Sequence, residues 1–314
     1  MGKQKIGSVA CGQPSVKDAG EMFLKDRRLS GLREPSVLAY KYRIDKMQRY
    51  FGEKTPIDTI NRMRWQQWIE YLTDTEKLSP EGINATIRHG RAFLYWCMEE
   101  GMLSPYKIHT IKTDKKIKET YTHEELDRLL EEPKSKDFRE ILTYTFIMFL
   151  YGTGCRIGTV LDIRIEDLDF QFQRFKIRHS KDRIQTYLPM PYRLSVALKK
   201  YLVIRGGSGD DYLFPNPYGD KPCQREYNRY VASYNKARGV QKTSVHLFRH
   251  SFARGCAEQG MSALDLRDLL CHKTLSVTQG YIDMYAANRL QNTLDKNPLD
   301  NREISTRNKR KKLY

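Results

Sequence analysis

Residues 104–120 read SPYKIHTIKTDKKIKET, a polar, lysine-rich stretch without an apolar period, and they interrupt a chain otherwise patterned for helices. Apolar periodicity on both sides of such a stretch calls for two cores joined by a linker, and 314 residues are enough to bury both. The linker is expected to be mobile by itself and able to follow a phosphate backbone without reading sequence.

Before the linker, residues 16–24, 36–51, 62–72 and 79–100 carry apolar residues at three-and-four spacing, which predicts a bundle of four or five short helices over 14–105. Ser79-Pro80-Glu81-Gly82 is a helix start with Pro in its first turn, and Gly101 sits where a helix would stop. After the linker, Thr122 and Glu125 form the outer residues of a capping box, opening a second domain over 121–294. Helices are predicted there over 122–130, 137–151, 192–204, 224–238, 244–258, 262–270 and 277–294. Phe170, Phe172, Phe175 and Ile177, then Ile184, Tyr187 and Leu188, flank the polar tip HSKDR and predict two strands of a hairpin. The fold class expected is mainly α with one small antiparallel β-sheet. Residues 295–314 are polar, end in RNKRKKLY, and read as a flexible basic arm.

Lys and Arg number 55 against 38 Asp and Glu, a net charge of +17 spread along the chain, which suits a polyanionic partner held over a large surface. Lys41, Arg43, Lys46, Arg49, Arg88 and Arg91 mark a face of the first domain that could lie on phosphates, or simply face water. The six cysteines include no Cys-x-x-Cys pair, so neither a zinc ribbon nor a disulfide framework is indicated. No secretory leader or myristoylation signal is read at the N-terminus, and the most apolar run, 141–151, is too short to cross a bilayer. A cytoplasmic, nucleoid-associated protein is expected.

Attack on a phosphodiester without a metal needs cations for the non-bridging oxygens, a nucleophile, and an acid for the departing oxygen. The second domain holds such groups. Arg156 follows Gly152-Thr153-Gly154-Cys155 at the end of an apolar helix, where glycines let the backbone turn. His246 and Arg249, three apart in His246-Leu247-Phe248-Arg249-His250, share one side of a helix and can converge on one ligand. His272 precedes Tyr281 by nine residues, with a break between them that lets two helix ends present imidazole and phenol to one point. A phenol titrates near pH 10, so neighbouring cations are needed to favour its ionised form. Each feature alone also fits an ordinary surface cation, a structural histidine or a buried tyrosine.

Taken in order, Arg156, Lys181, His246-x-x-Arg249, His272 and Tyr281 resemble the catalytic signature of the tyrosine recombinases, the family of phage integrases and Xer-type resolvases. The resemblance implies a helical, SAM-like core-binding domain and a catalytic domain of the DNA breaking-rejoining fold. It implies that Tyr281 attacks the scissile phosphate and forms a 3′-phosphotyrosyl bond, while Arg156 and Arg249 clamp the non-bridging oxygens. Lys181 would protonate the leaving 5′ oxygen, and His246 and His272 would hydrogen-bond the phosphate or assist proton movement. No metal and no other cofactor is implied; the implied partner is double-stranded DNA carrying a recombination site, bound by a homotetramer in which residues beyond Leu290 pack on a neighbouring protomer. Three positions depart from or qualify the pattern. Thr159 stands where members often carry an acidic residue, Cys271 replaces the glycine usual before the last His, and Tyr285 is a reserve nucleophile. Arg183, the other cation at the hairpin tip, is a poor proton donor beside Lys181. Two other readings share much of this chemistry or charge: a type IB topoisomerase and a DNA-binding architectural protein without catalysis.

Overall fold

Local capping chemistry starts most of the helices. In the computed structural model, which describes residues 13–113, 119–134, 136–178, 186–272, 274–275 and 278–281, the chain divides into two units, 1–116 and 117–314. In the first, Ser15 and Asp18 close a capping box on α1 (Val16–Leu29). Pro35 lies in the first turn of α2 (Glu34–Phe51), Asn61 caps α3 (Arg62–Asp74), and Ser79 caps α4 (Pro80–Glu99). Their apolar stripes meet in a core of Phe23, Ile44, Trp65, Trp68, Ile87 and Phe93. Gly90 is needed for that packing, because a Cβ there would come within 2.7 Å of the Trp65 ring.

The linker departs from its sequence reading in its first half. Tyr106, Ile108 and Ile111 pack against this core, and the Asn84 amide exchanges hydrogen bonds with the backbone of Ile111 at 2.9 and 3.0 Å. The Tyr95 hydroxyl accepts from the Ile108 N–H at 3.1 Å. Sparse apolar residues satisfied by distant polar groups give no periodic signal, so the stretch reads as polar while part of it is buried.

The second unit is organised on α6 (Phe138–Thr153), which packs against α5 (His123–Leu130), α8 (Tyr192–Arg205), α9 (Gln224–Ala237) and α10 (His246–Glu258). Two short helices, α7 (Ile157–Leu161) and α11 (Ala263–Leu269), complete its described helical framework. Phe146, Phe149, Phe175, Tyr201, Phe214, Tyr227 and Phe248 fill the core. The sheet is antiparallel in the order β1 (Leu168–Asp169), β2 (Arg174–Ile177), β3 (Thr186–Pro189), one strand more than the hairpin expected. Phe175 pairs with Leu188 and Ile177 with Thr186, so β2 turns Phe175 and Ile177 inward. The hairpin tip with Lys181 and Arg183, most of the helix predicted over 277–294, and Tyr285 lie outside the described residues.

Candidate active site

Gly154 ends α6 in the left-handed conformation, φ 63° and ψ 12°, and leads through Cys155 into α7, where Arg156 is the N-cap residue. Two demands meet at this glycine: the positive φ, and the close approach of Phe252 and Leu270, whose side chains would lie 2.3 and 2.9 Å from an added Cβ. The tight turn leaves the Arg156 side chain exposed beside the buried end of α6.

Arg249, on α10, is buried. One terminal nitrogen, Nη1, donates to the Gly154 carbonyl at 2.6 Å, and the other, Nη2, donates to the Leu270 carbonyl at 2.9 Å. Nη2 also lies 2.7 Å from Nε2 of His272. A guanidinium has only donors, so Nε2 must accept; the His272 proton then sits on Nδ1, which donates to the Thr278 hydroxyl at 2.8 Å. Arg249 therefore ties together the end of α6, the end of α11 and His272 just beyond it. Burial, and then repulsion from Arg156, pull its pKa down to about 10, so it stays charged at neutral pH.

Cys271 makes the turn between α11 and His272 with φ 47°, a left-handed position at which glycine is favoured. The turn aims the imidazole back toward Arg249 and places its ring parallel to that of Tyr281, 10° between planes and 6.4 Å between centroids. Tyr281 is buried at 3% exposure beside Ala253, Ala257, Leu266 and Leu270. Burial raises its pKa and outweighs the opposing pull of Arg249 and Arg156, so the resting phenol is neutral. Burial likewise pushes the Cys155 thiol to about 11 and raises that of Cys271, so neither adds a negative charge that would repel phosphate.

Of the residues singled out in the sequence, Arg249, His272 and Tyr281 are thus brought together, with Arg156 close enough for its charge to act on Arg249 and Tyr281. His246 is exposed at the first residue of α10, one turn before Arg249 on the same side of the helix. Thr159 donates its backbone N–H to the Arg156 carbonyl at 2.9 Å. Two further residues belong to the site. Thr278 is fully buried against His272, and Nδ1 of His250 lies 2.7 Å from the Tyr281 hydroxyl. His250 stands inside the motif already quoted, next to Arg249, and Thr278 lies three residues before Tyr281, but spacing alone does not give their direction.

In the first unit, the cations of the predicted face are partly engaged. Lys41 pairs with Asp45 at 2.9 Å, Lys46 pairs with Glu76, and Arg43 donates to the Thr86 hydroxyl at 3.1 Å. Arg88 is exposed and Arg91 half-buried.

The phage integrase family model matches residues 119–288, just over half of the chain. The chain belongs to this family. It is 26% identical over 273 residues to a tyrosine recombinase of Pseudothermotoga lettingae, covering 85% of this chain and 92% of the relative. It is 27% identical over 274 residues to the tyrosine recombinase XerD of Oceanobacillus iheyensis, covering 82% and 90%. Among solved structures, the Tn1549 transposon integrase in complex with transposon right end DNA aligns at a TM-score of 0.74 and 19% identity, over 89% of this chain and 99% of that one. A lambda integrase dimer bound to a core site aligns at 0.68 and 16% identity, over 85% and 94%. The mainly helical fold with its small antiparallel sheet is that of the integrases.

Among the described residues, no helix is long and apolar enough to cross a membrane, no group of three or more His, Cys, Asp or Glu is placed to hold a metal ion, and the cysteines are unpaired.

Proposed function

We propose that Tyr281 is the nucleophile of a site-specific DNA recombinase of the tyrosine class, breaking and rejoining strands through a 3′-phosphotyrosyl bond. The observation that carries this reading is the junction at Arg249, which joins three chain segments and sets a neutral imidazole and a buried phenol beside a permanent cation. Three of its five N–H donors are directed to these acceptors, and the others remain for a phosphate oxygen. Arg156, exposed at the same turn, supplies the second guanidinium for the pentacoordinate transition state.

Attack by the Tyr281 oxygen on phosphorus breaks the bond to the 5′ oxygen, which takes its proton from Lys181. His246 hydrogen-bonds the phosphate, while His272, with its two ring nitrogens engaged by Arg249 and Thr278, holds Arg249 in place for it. The phosphotyrosyl ester keeps the energy of the phosphodiester, so rejoining needs neither a metal nor a nucleotide. The substrate is double-stranded DNA carrying a recombination site, gripped by both units and exchanged within a homotetramer in the cytoplasm at the nucleoid. The lambda integrase tetramer on a Holliday junction, to which this chain aligns at a TM-score of 0.70, supports that assembly.

Incubation of the protein with a duplex nicked near its cognate site, without Mg²⁺, is expected to give a covalent protein–DNA adduct. Tyr281→Phe should abolish the adduct and keep binding. An adduct that survives Tyr281→Phe and disappears in Tyr285→Phe would refute the nucleophile.

A further inference from the structure

A buried phenol held neutral must give up its proton as it attacks, and the arrangement of nitrogens around Tyr281 restricts where that proton goes. His272 lies parallel to the phenol, but its Nε2 accepts from Arg249 and its Nδ1 faces the Thr278 hydroxyl at 2.8 Å. Both of its ring nitrogens are therefore engaged in holding the site together. His246 lies on the exposed first residue of α10. The phenol hydroxyl itself lies 2.7 Å from Nδ1 of His250. Their ring centroids are 5.8 Å apart, with the planes inclined at 40°.

The position of His250 follows from helix geometry. Successive residues on α10 are turned by roughly 100°, so Arg249 can point to the ends of α6 and α11 while His250 points to the segment that carries Tyr281. One helix thereby holds the cation for the phosphate and a base for the nucleophile at adjacent positions. His250 is half-buried, and the hydroxyl it meets is on a side chain at 3% exposure, which limits competition from water at the contact.

We propose that His250 is a catalytic residue, the proton acceptor for Tyr281. This role rests on the recombinase reading above and deepens it. In the forward step the Tyr281 O–H bond breaks, its proton passes to Nδ1 of His250, and the phenol oxygen bonds to phosphorus as the bond to the 5′ oxygen breaks. The departing 5′ oxygen takes a proton from Lys181. In rejoining, Lys181 takes the proton of the attacking 5′-hydroxyl, the phosphotyrosyl bond breaks, and His250 returns its proton to the phenol oxygen. Protons and charge balance over the cycle, and no group besides those named is consumed.

The test uses the full-length protein on the nicked duplex, comparing wild type, Tyr281→Phe, His250→Ala and His250→Asn for adduct formation and for DNA binding. His250→Ala is expected to bind DNA as wild type does and to cleave about 10²-fold more slowly, the usual contribution of a positioned base. Added imidazole should restore part of that rate, and should do nothing for Tyr281→Phe. His250→Asn keeps a hydrogen-bond acceptor near the position of Nδ1 but no basic nitrogen, and it should stay slow. Cleavage by His250→Asn near the wild-type rate would show that His250 only positions the phenol and would overturn the proposal. A folded, DNA-binding His250→Ala whose deficit does not respond to imidazole would overturn it as well. A wild-type protein that forms no adduct is a different failure, of the recombinase reading itself, and it removes the role of His250 with it.

Discussion

Arg249 does two kinds of work that separate substitutions can tell apart. Its Nη groups satisfy the carbonyls of Gly154 and Leu270 and hold His272 in the tautomer protonated on Nδ1, while in the proposed reaction its charge would stabilise the phosphate. Arg249→Lys preserves the charge but loses the planar fork, so it cannot meet both carbonyls and the imidazole together. Cleavage is expected to fall at least 10²-fold with less than tenfold change in DNA affinity, and thermal unfolding should register a loss of about 1–3 kcal/mol from acceptors left unsatisfied. Arg156→Ala should depress cleavage similarly without the stability loss, because that side chain is exposed. Equal losses of affinity and cleavage in either variant would defeat the assignment to the transition state. That Arg249, His272 and Tyr281 stand together was legible in the sequence through their order and spacing, which resemble the tyrosine recombinase signature, since each residue alone also fits an ordinary structural role. His250 and Thr278 were not assigned roles, because their part depends on where a neighbouring helix end delivers Tyr281 and His272, which no local pattern encodes.

At the level of elements, the site is held by how α6 and α11 end, by α10, which carries Arg249 and His250, and by how β2 is anchored. Gly154→Ala would force both a left-handed alanine and a methyl group into Phe252 and Leu270, so a destabilisation of about 2–4 kcal/mol is expected in denaturant unfolding. A variant as stable as wild type would show that the α6–α7 turn relaxes freely. A second anchor lies just before the hairpin tip. Asp167 is buried and accepts from Nε of Arg178 through both carboxylate oxygens at 2.8 Å, and Glu166 adds a further ion pair to the same guanidinium. These two carboxylates, Asp167 foremost, raise the pKa of Arg178 and fix its charge. Asp167→Ala leaves Arg178 with Glu166 as its ion-pair partner and should cost about 1–2 kcal/mol in the same measurement. Capping boxes and apolar periods made most of these helices readable in advance, including the start at Thr122. The five residues of α7 are too few to display a period, and β1 is only two residues long. Both are set by what they pack on rather than by their own composition.

For the whole molecule, a net charge of +17 overstates what is available to DNA. Lys46 has 11% of its side chain exposed and is paired with Glu76, and Lys41 is paired with Asp45 on its own helix, so these cations mainly neutralise the protein's own carboxylates. Arg88 is exposed on α4. Affinity for DNA should still fall steeply with salt, because each phosphate contact releases counterions and contributes roughly −0.9 to the slope of log K against log salt concentration. The separate cations then differ in a measurable way. Arg88→Ala should weaken binding uniformly across sequences and make the slope shallower by about one. Lys46→Ala should leave the slope unchanged and instead lower stability slightly, since it removes a partner from Glu76. A titration series between low and physiological salt on one duplex decides the matter. If Lys46→Ala shallows the slope as much as Arg88→Ala, the Lys46–Glu76 pair opens on DNA and the division of cations drawn from the free protein is wrong.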